Sequence, residues 1–460
     1  MLSHLRIQNF KSWRDTGRIR LAPITVLFGS NSSGKSSLSQ FLLLLQQTAQ
    51  SPDRHRVLHP GDDQTPVDLG TFRDMVFDHD ERLPIELDLG WSLSEDLVVK
   101  DSRTTQEYRG HNLQFEAEIR GLKSVDTRVV VDRMSYGLCN SEGEMLRVGM
   151  QREATAKGQY QLFAEGIKLI RNPGRGWPLP APLRFYGFPD EAIAYYQNAA
   201  FLPDLTLALE RQLGRIYYLG PLREYPRRYY TWAGVTPEHV GWRGERSVEA
   251  LLAARERRLS SGPRKHGLPF EKLVAQRLLE MGLIEDFKAR PLAPHRKEYE
   301  VLIRTRGSRK EAVNLTDVGF GVSQVLPVIV ECFYAPHDST ILLEQPEIHL
   351  HPRVQAELAD LFIDVIRSRE DGEDRRIQLI VESHSEHFLR RLQRRIAEER
   401  IRPEEAALYF VEAGPKGHSS LHSLDLDEYG NISNWPEDFF GDEIGDLTAM
   451  TQAAMQRRKR

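Results

Sequence analysis

A phosphate-loop pattern near the start of the chain and an acidic strand far downstream constrain this sequence more than any other feature. Gly29 to Ser36 read GSNSSGKS, a match to G-x-x-x-x-G-K-[ST], directly after the apolar run Ile24, Val26, Leu27, Phe28. A strand, a Gly-rich turn and a helix from about Lys35 onward form the context this pattern requires. Gly29 and Gly34 let the backbone curl so that its N–H groups face phosphates, and the helix N-terminus adds partial positive charge. Lys35 is expected to reach the β- and γ-phosphates of a nucleotide and Ser36 to supply an oxygen to Mg²⁺. Asn31, Ser33, Gly34, Lys35, Ser36 and Ser37 are the expected nucleotide ligands. The helix SSLSQFLLLLQQ (Ser36 to Gln47) is apolar on most of its surface, which predicts burial against a sheet.

The second part of the site lies at Thr340–Pro352, TILLEQPEIHLHP, and at Leu379–Ser385, LIVESHS. Four strand-forming residues ending in Glu344 fit a strand that presents a carboxylate to Mg²⁺ or its water. A site divided in this way implies one ATPase fold interrupted by a large insertion.

At this point the sequence resembles the ABC-type ATPase heads of the SMC, RecF and OLD nuclease group. That group typically reads D-E-P-E-x-H-L-H-P, where this chain has Glu344-Gln345-Pro346-Glu347-Ile348-His349-Leu350-His351-Pro352. LRIQNFKSW (Leu5 to Trp13) resembles the group's opening strand, whose Asn-Phe-Lys region lies beside the nucleotide. VDLGTFRDMVF (Val67 to Phe77) sits where the group has a flexible coupling loop. VESHS resembles the switch segment, which implies His384 near the γ-phosphate. NLTDVGFGVSQVLPV (Asn314 to Val328) resembles a degenerate L-S-G-G-Q signature with Gly321, Ser323 and Gln324, closing over ATP held by a second chain. Glycines followed by Ser at a helix start also make an anion site on physical grounds. The resemblance covers about 1–95 and 305–425.

One departure matters. The group's usual catalytic Glu falls on Gln345, and an amide cannot take a proton. Slow but real hydrolysis is expected, with Glu344 on magnesium and Glu347 or His384 assisting the water. A nearly non-hydrolysing, ATP-dependent scaffold is the rival reading.

The expected architecture is an α/β head (1–95 and 305–425) split by a β-rich, then helical insertion or lid (96–304). An acidic-aromatic tail with a basic end (426–460) follows. No apolar heptads are sustained, so the long coiled-coil arms of SMC proteins are not expected. Within the insertion, strand-like runs to about 190 give way to helical spacing, interrupted by IYYLGPLREYPRRYY (Ile216 to Tyr230).

No apolar run approaches the ~20 residues that span a bilayer, and MLSHLRIQNF has no signal-peptide pattern. Only Cys139 and Cys332 are present, so neither a disulfide scaffold nor a cysteine zinc site is expected. A cytoplasmic protein follows as the expectation. The net charge of −4 gives no global attraction to nucleic acid, so DNA contact would need local patches. Three clusters qualify by composition: Arg223, Arg227, Arg228, Tyr229, Tyr230 and Trp232; Arg255, Arg257, Arg258, Arg264 and Lys265; and Arg457 to Arg460. Solvated faces, an aromatic core and a frayed basic end remain the plainer readings of all three.

The resemblance implies ATP and Mg²⁺ as ligands and a homodimer or higher oligomer of heads. It also implies a sensor or switch role in prokaryotic anti-phage genome defence. Too little chain follows His384 for a fused nuclease domain, so the effector is expected to be a separate protein, a nuclease being one option. A RecF-like DNA-repair ATPase is the alternative within the same mechanism.

Overall fold

The computed structural model describes residues 1–104, 106–122, 128–153, 158–174, 177–262, 265–305, 311–414, 416–436 and 443–458. Arg264, residues 437–442 of the acidic-aromatic segment, the side chain of Arg458, and the terminal Lys459 and Arg460 lie outside the described residues.

The apolar runs TILLE, QLIVE and ITVLF read as strands buried on both faces, as parallel strands are. They form the middle of a six-stranded sheet. Its order is Ile216–Leu219, Thr340–Glu344, Gln378–Glu382, Ile24–Gly29, Ala406–Ala413, Ser419–Ser423. All neighbours are parallel except the last hairpin. Alternate residues feed two cores. Leu27, Leu342 and Ile380 face one, with Phe41 and Leu45 of the helix Lys35–Gln50. Val26, Phe28, Leu343 and Val381 face the other, with the helices Phe320–Tyr334, Pro352–Ile366 and Glu386–Ala397.

The second sheet is antiparallel and eight-stranded. It runs Trp13–Asp15, Leu2–Phe10, Ile85–Lys100, Glu107–Leu122, Arg128–Asn140, Gly143–Arg152, Tyr160–Glu165, with Ile19–Arg20 pairing on Leu2–Phe10. It covers the other side of the helix Lys35–Gln50, with the Phe10 and Phe41 rings edge to face at 4.9 Å. Being sandwiched between two sheets is why that helix is apolar nearly all round.

Two observations bear on the expected insertion of 96–304. The strand Ile85–Lys100 runs through the boundary at 95, and Ile216–Leu219 is a strand of the parallel sheet, registered residue for residue on Thr340–Leu343. We propose that the insertion is woven into the head at both ends, since edge pairing there satisfies backbone groups that would otherwise be left open. The longest helices among the described residues have 16 residues, so there is no coiled-coil arm there. No helix among them is long and apolar enough to cross a membrane.

A titratable carboxyl is built into the second core. Glu331, on the helix Phe320–Tyr334, is 0 % exposed and accepts from Val240 N–H at 3.3 Å, with Oε1 unpartnered. Burial pushes its carboxyl up to about 8 from an ordinary 4.5. The folded chain therefore holds a proton that the unfolded chain releases, and stability falls by roughly 1 kcal/mol per pH unit as pH rises between those values. Glu331→Gln keeps the acceptor for Val240 and removes the titration. The variant's thermal midpoint is expected to exceed that of the parent by several degrees at about pH 8, with the gap closing toward about pH 5. A gap independent of pH would contradict this account.

Candidate functional site

The phosphate loop is held from behind by side chains of the opening strands and the last hairpin. Trp13 Nε1 donates to Gly34 O at 3.0 Å, and Ser419 Oγ donates to Ser33 O at 2.6 Å while hydrogen-bonded to the Ser12 hydroxyl at 2.7 Å. Gly34 has φ 99°, and a Cβ there would lie 2.2 Å from Ser419 Oγ, so both backbone and space demand glycine. Lys35 Nζ donates to Gly29 O at 3.0 Å and Ser30 O at 2.6 Å. Burial pushes the Lys35 ammonium below its ordinary value, while Glu382 and Glu347 pull it up. Asn31 is exposed at the loop tip, Ser33 is fully buried, and Ser37 N–H closes the first helical turn on Gly34 O.

Three parallel strands end beside this loop, the place where open α/β sheets bind ligands. Glu344 is registered against Glu382, and Glu382 against Leu27, two residues before Gly29. Ser36 Oγ donates to both Glu382 oxygens, at 2.8 and 3.1 Å. Glu382 thus stands between the loop and Glu344, and the sequence reading missed it. Its signal was available: a carboxylate closing an apolar strand (LIVE), as Glu344 closes TILLE. Burial first, then the Glu382 charge, pushes the Glu344 carboxyl up to about 7, against the pull of Tyr218 and Arg223. Burial also raises Glu382, opposed by the Ser36 hydroxyl and Lys35. Glu344 Oε1 is buried without a partner. Two buried carboxylates and a serine hydroxyl with spare oxygens suit a hard divalent cation.

Glu347 and His384 come together as well. His384 N–H donates to Glu347 Oε1 at 2.6 Å, tying the turn after one strand to the turn after the next. Glu347 Oε2 and His384 Nε2 are buried without partners. Burial raises the Glu347 carboxyl; burial and then the Lys35 charge lower the His384 imidazole, which favours its neutral form. Gln345 is half-buried at φ 44°, its N–H donating to Glu382 O at 2.8 Å, so it forms the turn that carries Glu347 inward. His351 caps the following helix, its Nδ1 accepting from Arg353 N–H at 3.3 Å.

The signature residues lie apart from these groups, on the helix Phe320–Tyr334. Ser323 Oγ donates back to Phe320 O at 2.9 Å; Ser323 and Gln324 are buried, while Gly319 and Phe320 are exposed. The residues exposed here are therefore Gly319 and Phe320, with Gly321 half-buried and the Ser323 hydroxyl turned back onto the helix.

The basic clusters meet acidic partners. Arg227 pairs with Glu224 and Arg228 with Asp317, Tyr230 is buried, and Trp232 Nε1 donates to Val235 O. Arg255 pairs with Glu271, Arg257 with Glu370, and Lys265 with Asp364. Several of these cations are therefore paired within the fold, which lowers the net positive charge each cluster presents.

Residues 1–130 match a family described as an AAA ATPase domain, and residues 200–390 match an AAA domain described as putative AbiEii toxin, Type IV TA system. Residues 401–450 match a protein family of unknown function, DUF3696. The loop and both acids lie inside these two segments, so the chain carries segments that match AAA ATPase domains. No curated protein matches it. Among solved structures it is similar to an Smc head bound to the C-winged helix domain of ScpA, with 11% identity over 93% of this chain and 98% of that one, TM-score 0.43. It is also similar to the SMC head domain from Thermotoga maritima (11% identity, 92% and 99% covered, TM-score 0.39). A third is an Smc head with an extended coiled coil bound to the C-terminal domain of ScpA derived from Pyrococcus furiosus (10% identity, 92% and 96%, TM-score 0.38).

Proposed function

We propose that the protein binds ATP with Mg²⁺, hydrolyses it slowly, and uses the cycle as a two-chain switch that controls a separately encoded effector in genome defence. The observation that carries this reading is the convergence of Ser36, Glu382 and Glu344, with Glu347 and His384 tied together, at the ends of adjacent strands. Ser36, Glu382 and Glu344 would hold the cation, which would supply charge neutralisation to the nucleotide's phosphates. Lys35 exchanges its loop carbonyls for phosphate oxygens. Glu347 Oε2 and His384 Nε2 hold the attacking water, and Glu347 takes its proton. Gln345 supplies no proton acceptor, which makes turnover slow and the ATP-held state long-lived. That same residue supports the scaffold reading, in which the ATP-held state is the whole output.

The helix start at Gly319–Gly321, exposed at Gly319 and Phe320, is suited to the γ-phosphate on a second chain, giving a dimer that opens when the phosphate leaves. The defence assignment draws on the resemblance and on the toxin–antitoxin description of the family matched over 200–390.

The test is mass photometry of the purified chain with ATP or ADP and Mg²⁺, then affinity capture under the ATP condition. ATP, but not ADP, is expected to produce a dimer, and Lys35→Ala to lose both nucleotide binding and the dimer. A stoichiometric second protein in the capture supports effector control. A monomer under all nucleotide conditions would overturn the switch.

A further inference from the structure

The segment that follows the edge strand Ile216–Leu219 carries a guanidinium into the interior. Gly220 N–H donates to Trp242 O and Glu224 N–H to Arg243 O, both at 2.8 Å, so the backbone on either side of Arg223 is pinned. Its side chain turns inward and is 8% exposed. Arg223 Nη2 lies 3.5 Å from the Glu344 carbonyl oxygen, too long for a good hydrogen bond, and Nε and Nη1 are buried without partners. Glu344 and Glu347 are the carboxylates whose charge it feels, yet neither forms an ion pair with it among the described residues.

An arginine kept inside for structure looks different. Arg375 is 0 % exposed and bonds both terminal nitrogens, Nη1 to Cys332 O and Ser368 Oγ and Nη2 to Ala335 O, leaving only Nε unpartnered, whereas Arg223 has Nε and Nη1 unpartnered and a weak contact at Nη2. A buried fork with free donors is unfavourable by itself and is preorganised for a planar, bidentate oxyanion. Beside Glu344 and Glu347, the oxyanion within reach of this chemistry is the terminal phosphoryl group of the bound nucleotide.

We propose that Arg223 is a phosphate ligand in its own chain's site, engaging the γ-phosphoryl oxygens of ATP and therefore distinguishing ATP from ADP. The inference rests on the ATPase reading above. It also links that site to the signature segment. From Arg223 the chain continues to Arg228, which pairs with Asp317 at 2.8 Å and accepts from Asn314 Nδ2 at 3.0 Å through its carbonyl. The Tyr225 ring meets that of Phe320 at 6.2 Å. Engagement of Arg223 thus bears on the surface offered to a second chain.

The experiment is calorimetric titration of the full chain, with Mg²⁺, by ADP and by the non-hydrolysable analogue adenylyl imidodiphosphate. Arg223→Gln is expected to weaken the analogue about tenfold or more while ADP stays within about twofold. Arg223→Lys keeps the charge without the fork and should fall between. Equal losses for both nucleotides, or no loss, would overturn the proposal. If the Gln variant does not fold, the ratio of the two affinities in Arg223→Lys decides: a shift toward ADP supports the ligand role, and the parent ratio refutes it. A parent protein that binds neither nucleotide removes the ATPase reading itself. Loss of both in Lys35→Ala with none in Arg223→Gln removes only the role of Arg223.

Discussion

Glu382→Gln is expected to lower ATP turnover at limiting Mg²⁺ by about a hundredfold while leaving the fold as stable as before, or more so. Ser36 Oγ gives its hydrogen to this carboxylate at 2.8 and 3.1 Å, so Glu382 orients the hydroxyl and, on the proposed reading, would be a cation ligand itself. An amide keeps one acceptor and places N–H donors where the cation belongs. Stability goes the other way because Glu382 and Glu344 are buried like charges, each raised by burial, with the Glu382 charge raising Glu344 further. Removing one relieves the other. Activity against Mg²⁺ concentration and a thermal melt check both halves. Unchanged turnover at limiting Mg²⁺ would remove Glu382 from the cation site.

Glu347→Gln is expected to reduce kcat by about two orders of magnitude with nucleotide affinity changed only a few-fold. The substitution separates two roles of one side chain. The amide oxygen still accepts from His384 N–H, the 2.6 Å bond that anchors the switch turn, so the geometry persists. What disappears is the proton-accepting carboxylate at Oε2, which is buried without a partner. Single-turnover kinetics beside equilibrium ATP binding measures the split. If turnover is unchanged, the proton acceptor is not Glu347, and His384, whose Nε2 also has no partner, becomes the residue to replace.

Much of the head was legible because its signals are local. A Gly-rich loop between an apolar strand and an apolar helix needs only neighbouring residues to be recognised, and Gly29–Ser36 sits in that setting. Strand ends carrying acids are visible for the same reason, and the structure does end the strand Thr340–Glu344 on that carboxylate. Glu382 has the same local form but stood inside the stretch resembling the switch, where attention fell on His384. The strand Ile216–Leu219 was hidden for another reason. Four residues, IYYL, carry no decisive period, and their place beside Thr340–Glu344 depends on pairing across more than a hundred residues. At the basic stretch Arg223–Trp232 the pairings were not legible, because composition counts charges and cannot show that Asp317 pairs with Arg228 or Glu224 with Arg227.

By itself the sequence laid out the residues of the proposed nucleotide site: a loop proposed for phosphates, an acid proposed for the cation, and an amide, Gln345, where the resembled group has its base. Those properties belong to residue types at fixed short spacings. Only the tertiary structure decided the partnerships. It set Glu382 between Ser36 and Glu344, bound Glu347 to the His384 backbone, turned the Ser323 hydroxyl back onto its helix, and buried Arg223 with its donors free. Each depends on strand order and on which face of a chain meets another, and these follow from burying the two cores together rather than from any local pattern.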